Sequence, residues 1–189
     1  MTAVTGRAVP APAVTTGGPP DAGTTPAVTG DALFDVALMA DAARPVPAPA
    51  TGARCWLGVV CRDHVRRGTA LGIAQLGHGK RTGLARLSPG DWLVYYSPRT
   101  SLRDGDPLSA FTAIGQVADD VIWQADEGAF QPWRRRVDYL SDVTETRVRD
   151  LAGLDLTADQ NWGYALRRGL LELTASDFLA IRAAMVGRA

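Results

Sequence analysis

Gly77-His78-Gly79-Lys80-Arg81 places an imidazole and an ammonium group among glycines. Glycine lets backbone come close to a ligand. Lys80 is the only lysine in a chain whose other basic positions are all arginine. A lysine offers a compact charge with three rotatable donors where arginine offers a wide planar fork, which suits a narrow pocket wall. The segment is not a phosphate loop, because the Walker spacing is missing and no serine follows the lysine for magnesium. Trp92-Leu-Val-Tyr-Tyr-Ser-Pro-Arg99 is the second candidate. Strand alternation puts Trp92, Val94 and Tyr96 on one face and Leu93, Tyr95 and Ser97 on the other. Aromatic rings at a strand end can cage a flat ligand or simply fill a core.

Trp133-Arg134-Arg135-Arg136 is the densest basic run. In a strand it sets Arg134 and Arg136 on one face beside Trp123 and Trp133, joining phosphate-binding charge to stacking surface. Asn161-Trp-Gly-Tyr164 precedes the Arg167-Arg168 pair and brackets a glycine with two aromatics. Catalytic patterns are scarce. Cys61 and His64 lie three apart without a nucleophile signature, no G-x-S-x-G elbow occurs, and Asp119-Asp120 reads as a turn. Cys55 and Cys61 in one extended segment would sit roughly 20 Å apart, beyond disulfide reach. With His64 and His78 they match no zinc finger or ribbon spacing, so neither a metal nor a cofactor is expected.

These segments need a scaffold, and the composition says where it lies. The chain has 189 residues and a formal net charge of zero, which excludes a uniformly basic binder but not a local basic patch. Residues 1–53 hold eight of the twelve prolines and a single aromatic, Phe34. Such a stretch buries too little apolar surface to offset its chain entropy, and a disordered Ala/Pro/Thr/Gly-rich tail is expected. Within it, residues 31–43 carry Leu33, Val36, Ala37 and Ala40 at helical spacing behind Asp31, a short helix that could dock on a protein partner. No apolar run reaches the ~18 residues of a membrane span. No targeting pattern stands at the start. A soluble, cytoplasmic protein is therefore expected.

Residues 54–189 hold all five tryptophans and make one domain. Strands are expected at 55–61, 92–96, 108–117, 121–123, 133–140 and 170–173, with a strand or loop at 71–76. Helical turns are expected over 63–68, closed by Gly68, and over 84–87. A helix is expected over 144–151, and a last one, capped at Thr174, through Met185. The sum is an α+β domain with a small, strongly bent, mostly antiparallel sheet and peripheral helices.

Cys55-Trp-Leu-Gly-Val-Val-Cys-Arg62, Gly77–Arg81, Arg86-Leu-Ser-Pro-Gly-Asp-Trp-Leu-Val-Tyr-Tyr-Ser-Pro98, Phe111-Thr-Ala-Ile-Gly-Gln-Val117, Trp133–Tyr139 and Asn161–Tyr164 together resemble EVE-domain proteins, in order and spacing. The resemblance implies a PUA-like bent β-barrel flanked by helices. It also implies a non-catalytic reader that binds a modified base of DNA or RNA, a DNA cytosine derivative by preference, at the barrel mouth. Carried onto this chain, the pocket implied by the resemblance is formed around Cys61, Arg62, His78, Gly79, Lys80, Tyr95, Tyr96 and Ser97. Trp56 and Trp123 stand as further aromatic walls, and Arg81, Arg134 and Arg136 hold backbone phosphates. The family usually carries serine where this chain has Cys61. The enzymatic alternative uses Lys80 or His78 as acid/base on a small nucleotide or base. A third reading makes the tail a protein-interaction module.

Overall fold

The structure is a computed structural model that describes residues 49–187. The 31–43 segment and residues 1–48 as a whole lie outside the described residues. The elements run β1 (Cys55–Val59), α1 (Arg62–Leu71), β2 (Ile73–Ala74), α2 (Arg81–Leu84), β3 (Trp92–Arg99), β4 (Pro107–Gln124), β5 (Trp133–Tyr139), β6 (Thr146–Arg147), α3 (Trp162–Ala165), β7 (Leu170–Leu173) and α4 (Ala175–Val186). One mixed sheet joins them in the order β2-β5-β4-β3-β1-β7, with β6 on β4. Among the described residues only β1 and β3 pair in parallel; the other strand pairs are antiparallel. The largely antiparallel sheet with peripheral helices agrees with the expected α+β class.

Alternation along the strands builds two cores. Cys55, Leu57, Trp92, Val94 and Tyr96 face α4, where Phe178, Ile181 and Met185 are fully buried. Trp56, Leu93 and Tyr95 face the other way, against Val65 of α1 and Leu84 of α2. The two-face pattern expected for β3 is therefore present. Thr174 caps α4 as expected, its Oγ1 accepting the Asp177 amide at 3.1 Å. Buried Asp177 then accepts the amides of Asp155 (2.7 Å) and Leu156 (2.8 Å), which ties the 155–157 turn to the helix start.

Three expectations change. Asp119-Asp120 does not end a strand: β4 runs through it as a bulge, its register passing from Val117↔Val137 to Ile122↔Arg135. The aspartates still shape a local turn, since Asp119 Oδ1 accepts the Val121 amide at 3.0 Å. Buried Arg135 fills the bulge, donating to the carbonyls of Asp119 and Leu87. Residues 144–151 are not one helix. Thr146 and Arg147 pair with Phe111 and Ala110, and a single 3-10 turn follows. β-Branched Val143, Thr144 and Thr146 favour that extended path. Finally, α1 passes Gly68 and closes at Gly72, which takes φ +63°.

Candidate functional site

β1 ends at Val59, where its pairing with β3 closes at Val59↔Tyr96, and β3 runs on to Arg99. Beyond that pair the Val60 amide donates to Tyr96 O at 3.1 Å, and Cys61 begins α1. A cleft of about 580 Å³ lies past these ends, within the size range of ligand pockets. One wall is Val59–Cys61 with His64 of α1. The second is the Gly77–Gly79 turn. The third is the end of β3 at Pro98 and Arg99 with Ser101 and Leu102 of the β3–β4 loop. Phe130 and the Leu166–Gly169 segment complete it. The lining is mainly apolar and carries Arg99, Arg167, Arg168, His64 and His78, with no carboxylate among the described residues. It is a cationic site with a largely apolar lining.

The Gly77–Gly79 wall has an unusual backbone. Three successive residues are left-handed, with φ of 53° at Gly77, 58° at His78 and 80° at Gly79. The turn closes through Gly79 N donating to Leu76 O at 3.0 Å. His78 is not a glycine, and this conformation costs it roughly 1 kcal/mol. The surrounding structure holds that strain in place at the rim of the cleft.

Phe130 comes from the tip of the β4–β5 hairpin. Glu127 and Phe130 exchange backbone hydrogen bonds (3.0 and 3.4 Å) around Gly128, so their side chains share one face of the tip. The Glu127 carboxylate receives Arg67 of α1 and Arg134 of β5, and Arg134 Nε also reaches Gln75 Oε1 at 3.1 Å. The hydrogen bond from Arg134, reinforced by Arg67, holds the Glu127 carboxyl below its ordinary range. Beside it, burial first, then the charges of Arg67 and Arg134, push the His64 imidazole below its usual value, with Glu127 pulling the other way. His64 is thus a neutral hydrogen-bonding group in the cleft wall at neutral pH.

Of the expected ligand contacts, Cys61, His78 and Gly79 line this cleft. The others sit elsewhere. Trp56 is buried with its indole N–H on Asp91 Oδ2 at 2.9 Å and the guanidinium groups of Arg54 and Arg86 over its ring. Tyr95 is buried against Tyr139, its hydroxyl pushed up to about 12 by burial. Tyr96 packs edge-on to Phe111 and Trp162. Ser97 is fully buried, and its hydroxyl shares a hydrogen bond of 2.8 Å with Thr112. Arg62 pairs with Glu145 at 3.6 Å. Lys80 is exposed just past the turn and is not part of the cleft lining. Trp123 lies under Arg136 at 5.8 Å.

Among the expected phosphate ligands, Arg81 and Arg136 are exposed, Arg81 over Trp133 at 5.7 Å and Arg136 also paired with Asp119 at 3.2 Å. Arg134 has only 12% of its side chain exposed, and Glu127 and Gln75 occupy it. It supports the wall and is not a free cation. His64, Arg99, Leu102 and Phe130 also line the cleft and were not among the expected contacts. For Leu102 and Phe130 a signal existed, since each is a lone large apolar residue in an otherwise polar loop.

The EVE domain family model matches residues 54–184. A UPF0310 protein of Renibacterium salmoninarum is 50% identical over 130 residues, covering 69% of this chain and 94% of that one. A UPF0310 protein of Mycobacterium avium is 47% identical, covering 69% and 96%. YdcG of Bacillus subtilis, also a UPF0310 protein, is 40% identical, covering 69% and 90%. The NMR structure of Rpa0253 from Rhodopseudomonas palustris is similar with a TM-score of 0.43 at 13% identity, over 70% of this chain and 93% of that chain.

Proposed function

This chain belongs to the EVE-domain family, and from that premise we propose that it is a non-catalytic reader that takes a modified base of nucleic acid, a DNA cytosine derivative by preference, into the cleft beyond β1 and β3. The observation that carries the reading is the lining of that cleft: apolar and aromatic surface for a base, Arg167 and Arg168 for phosphates, and no carboxylate among the described lining residues to repel them. The fold and family are compatible with nucleic-acid binding. No helix among the described residues is long and apolar enough to cross a membrane, and a cytoplasmic location, with the nucleic acid, goes with the reading.

A base taken out of its stack costs a few kcal/mol. Stacking returns roughly 1–3 kcal/mol per base, and Phe130, 46% exposed at the cleft wall, offers the ring for it. The polar edge of the base meets His78, Cys61, the neutral His64 and backbone around Gly79. Arg167 and Arg168, both exposed, hold flanking phosphates. Binding is preferred to turnover because Lys80, one of the two acid/base groups of the enzymatic alternative, stands outside the cleft lining.

The test is a titration of the full chain with short fluorescent DNA and RNA strands, single and duplex, at low and moderate salt. The strands carry methyl-, hydroxymethyl- or carboxylcytosine, N6-methyladenine, or no modification. Preference for one modified base, abolished by Phe130→Ala, is expected. Equal affinity for modified and unmodified strands sinks the reading.

A further inference from the structure

Leu102 is 72% exposed, above every other large apolar side chain among the described residues, and it lines the mouth of the cleft. A single exposed leucine on a surface needs no explanation. What distinguishes this one is the rigid mount. Its loop is pinched at the neck: Thr100 N donates to Asp106 O at 3.0 Å, and Asp106 N donates to Thr100 Oγ1 at 2.9 Å. Arg99 Nη1 reaches Gly105 O at 2.8 Å, and Asp63 N of α1 holds Thr100 O at 2.9 Å. At Gly105 the two sides of the loop run so close that a Cβ would lie 2.1 Å from Ser101 N. A tight polar loop thus presents one apolar side chain to solvent, anchored to the helix that also carries His64.

We propose that Leu102 is the wedge that fills the gap left in a duplex when a base enters the cleft, so that the nucleic acid engaged is double-stranded DNA. The inference rests on the base-reading function above and names the form of its ligand. Removing a base from a stack leaves an apolar slot between its neighbours. A preordered leucine at the cleft mouth fills that slot and recovers the burial it lacks in the free protein. Its mount need not be ordered on binding, so the gain is not spent on loop entropy. Within the loop, Arg99 and Arg103 offset Asp104 and Asp106. Attraction to the backbone therefore comes from across the cleft, at Arg167 and Arg168.

The experiment compares the full-length protein with L102A and L102F on two probes. One is a short DNA duplex carrying a hydroxymethylcytosine next to 2-aminopurine; the other is the same strand unpaired. An unmodified duplex and strand serve as references. The expected result is a duplex affinity roughly tenfold lower for L102A, with a smaller rise in 2-aminopurine fluorescence. Binding of the unpaired strand stays within about twofold, and L102F behaves as the parent protein does. If L102A binds the duplex as well as the parent while both still prefer the modified strand, the wedge is wrong and the reader stands. If neither the parent nor either variant prefers the modified strand or duplex, the reader itself fails, and the wedge with it.

Discussion

A methyl group on Gly79 would lie 3.1 Å from Phe130 Cζ and 2.8 Å from Pro132 Cβ. The left-handed turn and the β4–β5 hairpin tip therefore fix each other, and two walls of the cleft are set by one close approach. Gly79→Ala meets both this contact and the cost of φ +80°. It is expected to destabilise the domain by about 1–3 kcal/mol and to raise amide exchange across residues 125–132. Urea denaturation and hydrogen-exchange mass spectrometry measure the two effects. Unchanged exchange in the hairpin would mean that it is not seated on the turn.

His64 makes the cleft pH-sensitive in a definite direction. Its folded pKa lies below the ordinary 6.5, chiefly through burial and then through Arg67 and Arg134. The unfolded chain therefore takes up its proton first as pH falls. The stability from neutral His64 is complete above 6.5 and is lost as pH drops from there through the lower folded value. A bound phosphate nearby favours the imidazolium, so nucleic-acid affinity rises as pH falls over the same window. His64→Gln is expected to flatten both profiles, measured by thermal melting and by fluorescence titration from neutral to mildly acidic pH.

Much of the frame was legible from single segments. The alternation of Trp92–Ser97 assigned both faces of β3, and Thr174 with Asp177 marked the start of α4. The site was legible only in part. His78 and Gly79, which line the cleft, were singled out by the glycine spacing of 77–81, a local signal, whereas Cys61 entered only through the family resemblance. Tyr95, Tyr96 and Ser97 were not separable from the core by type, because an aromatic at a strand end has the same sequence signature in either place. Which ring is covered depends on Tyr139, Phe111 and Trp162, all distant in sequence. Arg134 illustrates the same limit. Its run of three arginines is visible, but Glu127 and Gln75, which occupy it, come from a hairpin tip and a loop that the sequence does not place beside it.

Arg135 shows what the middle arginine of that run does. It is 3% exposed and serves the carbonyls of Asp119, Leu84 and Leu87, so it holds the β4 bulge against the turn after α2. Arg135→Met leaves those oxygens without a donor. A loss of about 2–4 kcal/mol is expected, seen as a lower urea midpoint with an unchanged slope. Arg135→Lys keeps a cationic donor group that cannot span all three carbonyls and should fall between the two. Equal stability of all three would mean that this side chain does not support the bulge.

Arg167 and Arg168 separate the two components of binding that the cleft combines. Both are exposed on the segment before β7, Arg167 over the Tyr164 ring at 5.0 Å, and neither is engaged by a carboxylate among the described residues. A cation on a phosphate releases counterions irrespective of the base, so its removal weakens every strand alike. Arg168→Ala is expected to lower affinity for modified and unmodified DNA by the same factor and to reduce the slope of log affinity against log salt by about 1. Phe130→Ala should do the opposite, abolishing the preference for the modified base while leaving the salt slope in place, since a ring carries no counterion to release. Salt titrations of both variants on the same pair of strands decide the matter. If Arg168→Ala changed the preference and left the slope alone, that arginine would be reading the base and not the backbone.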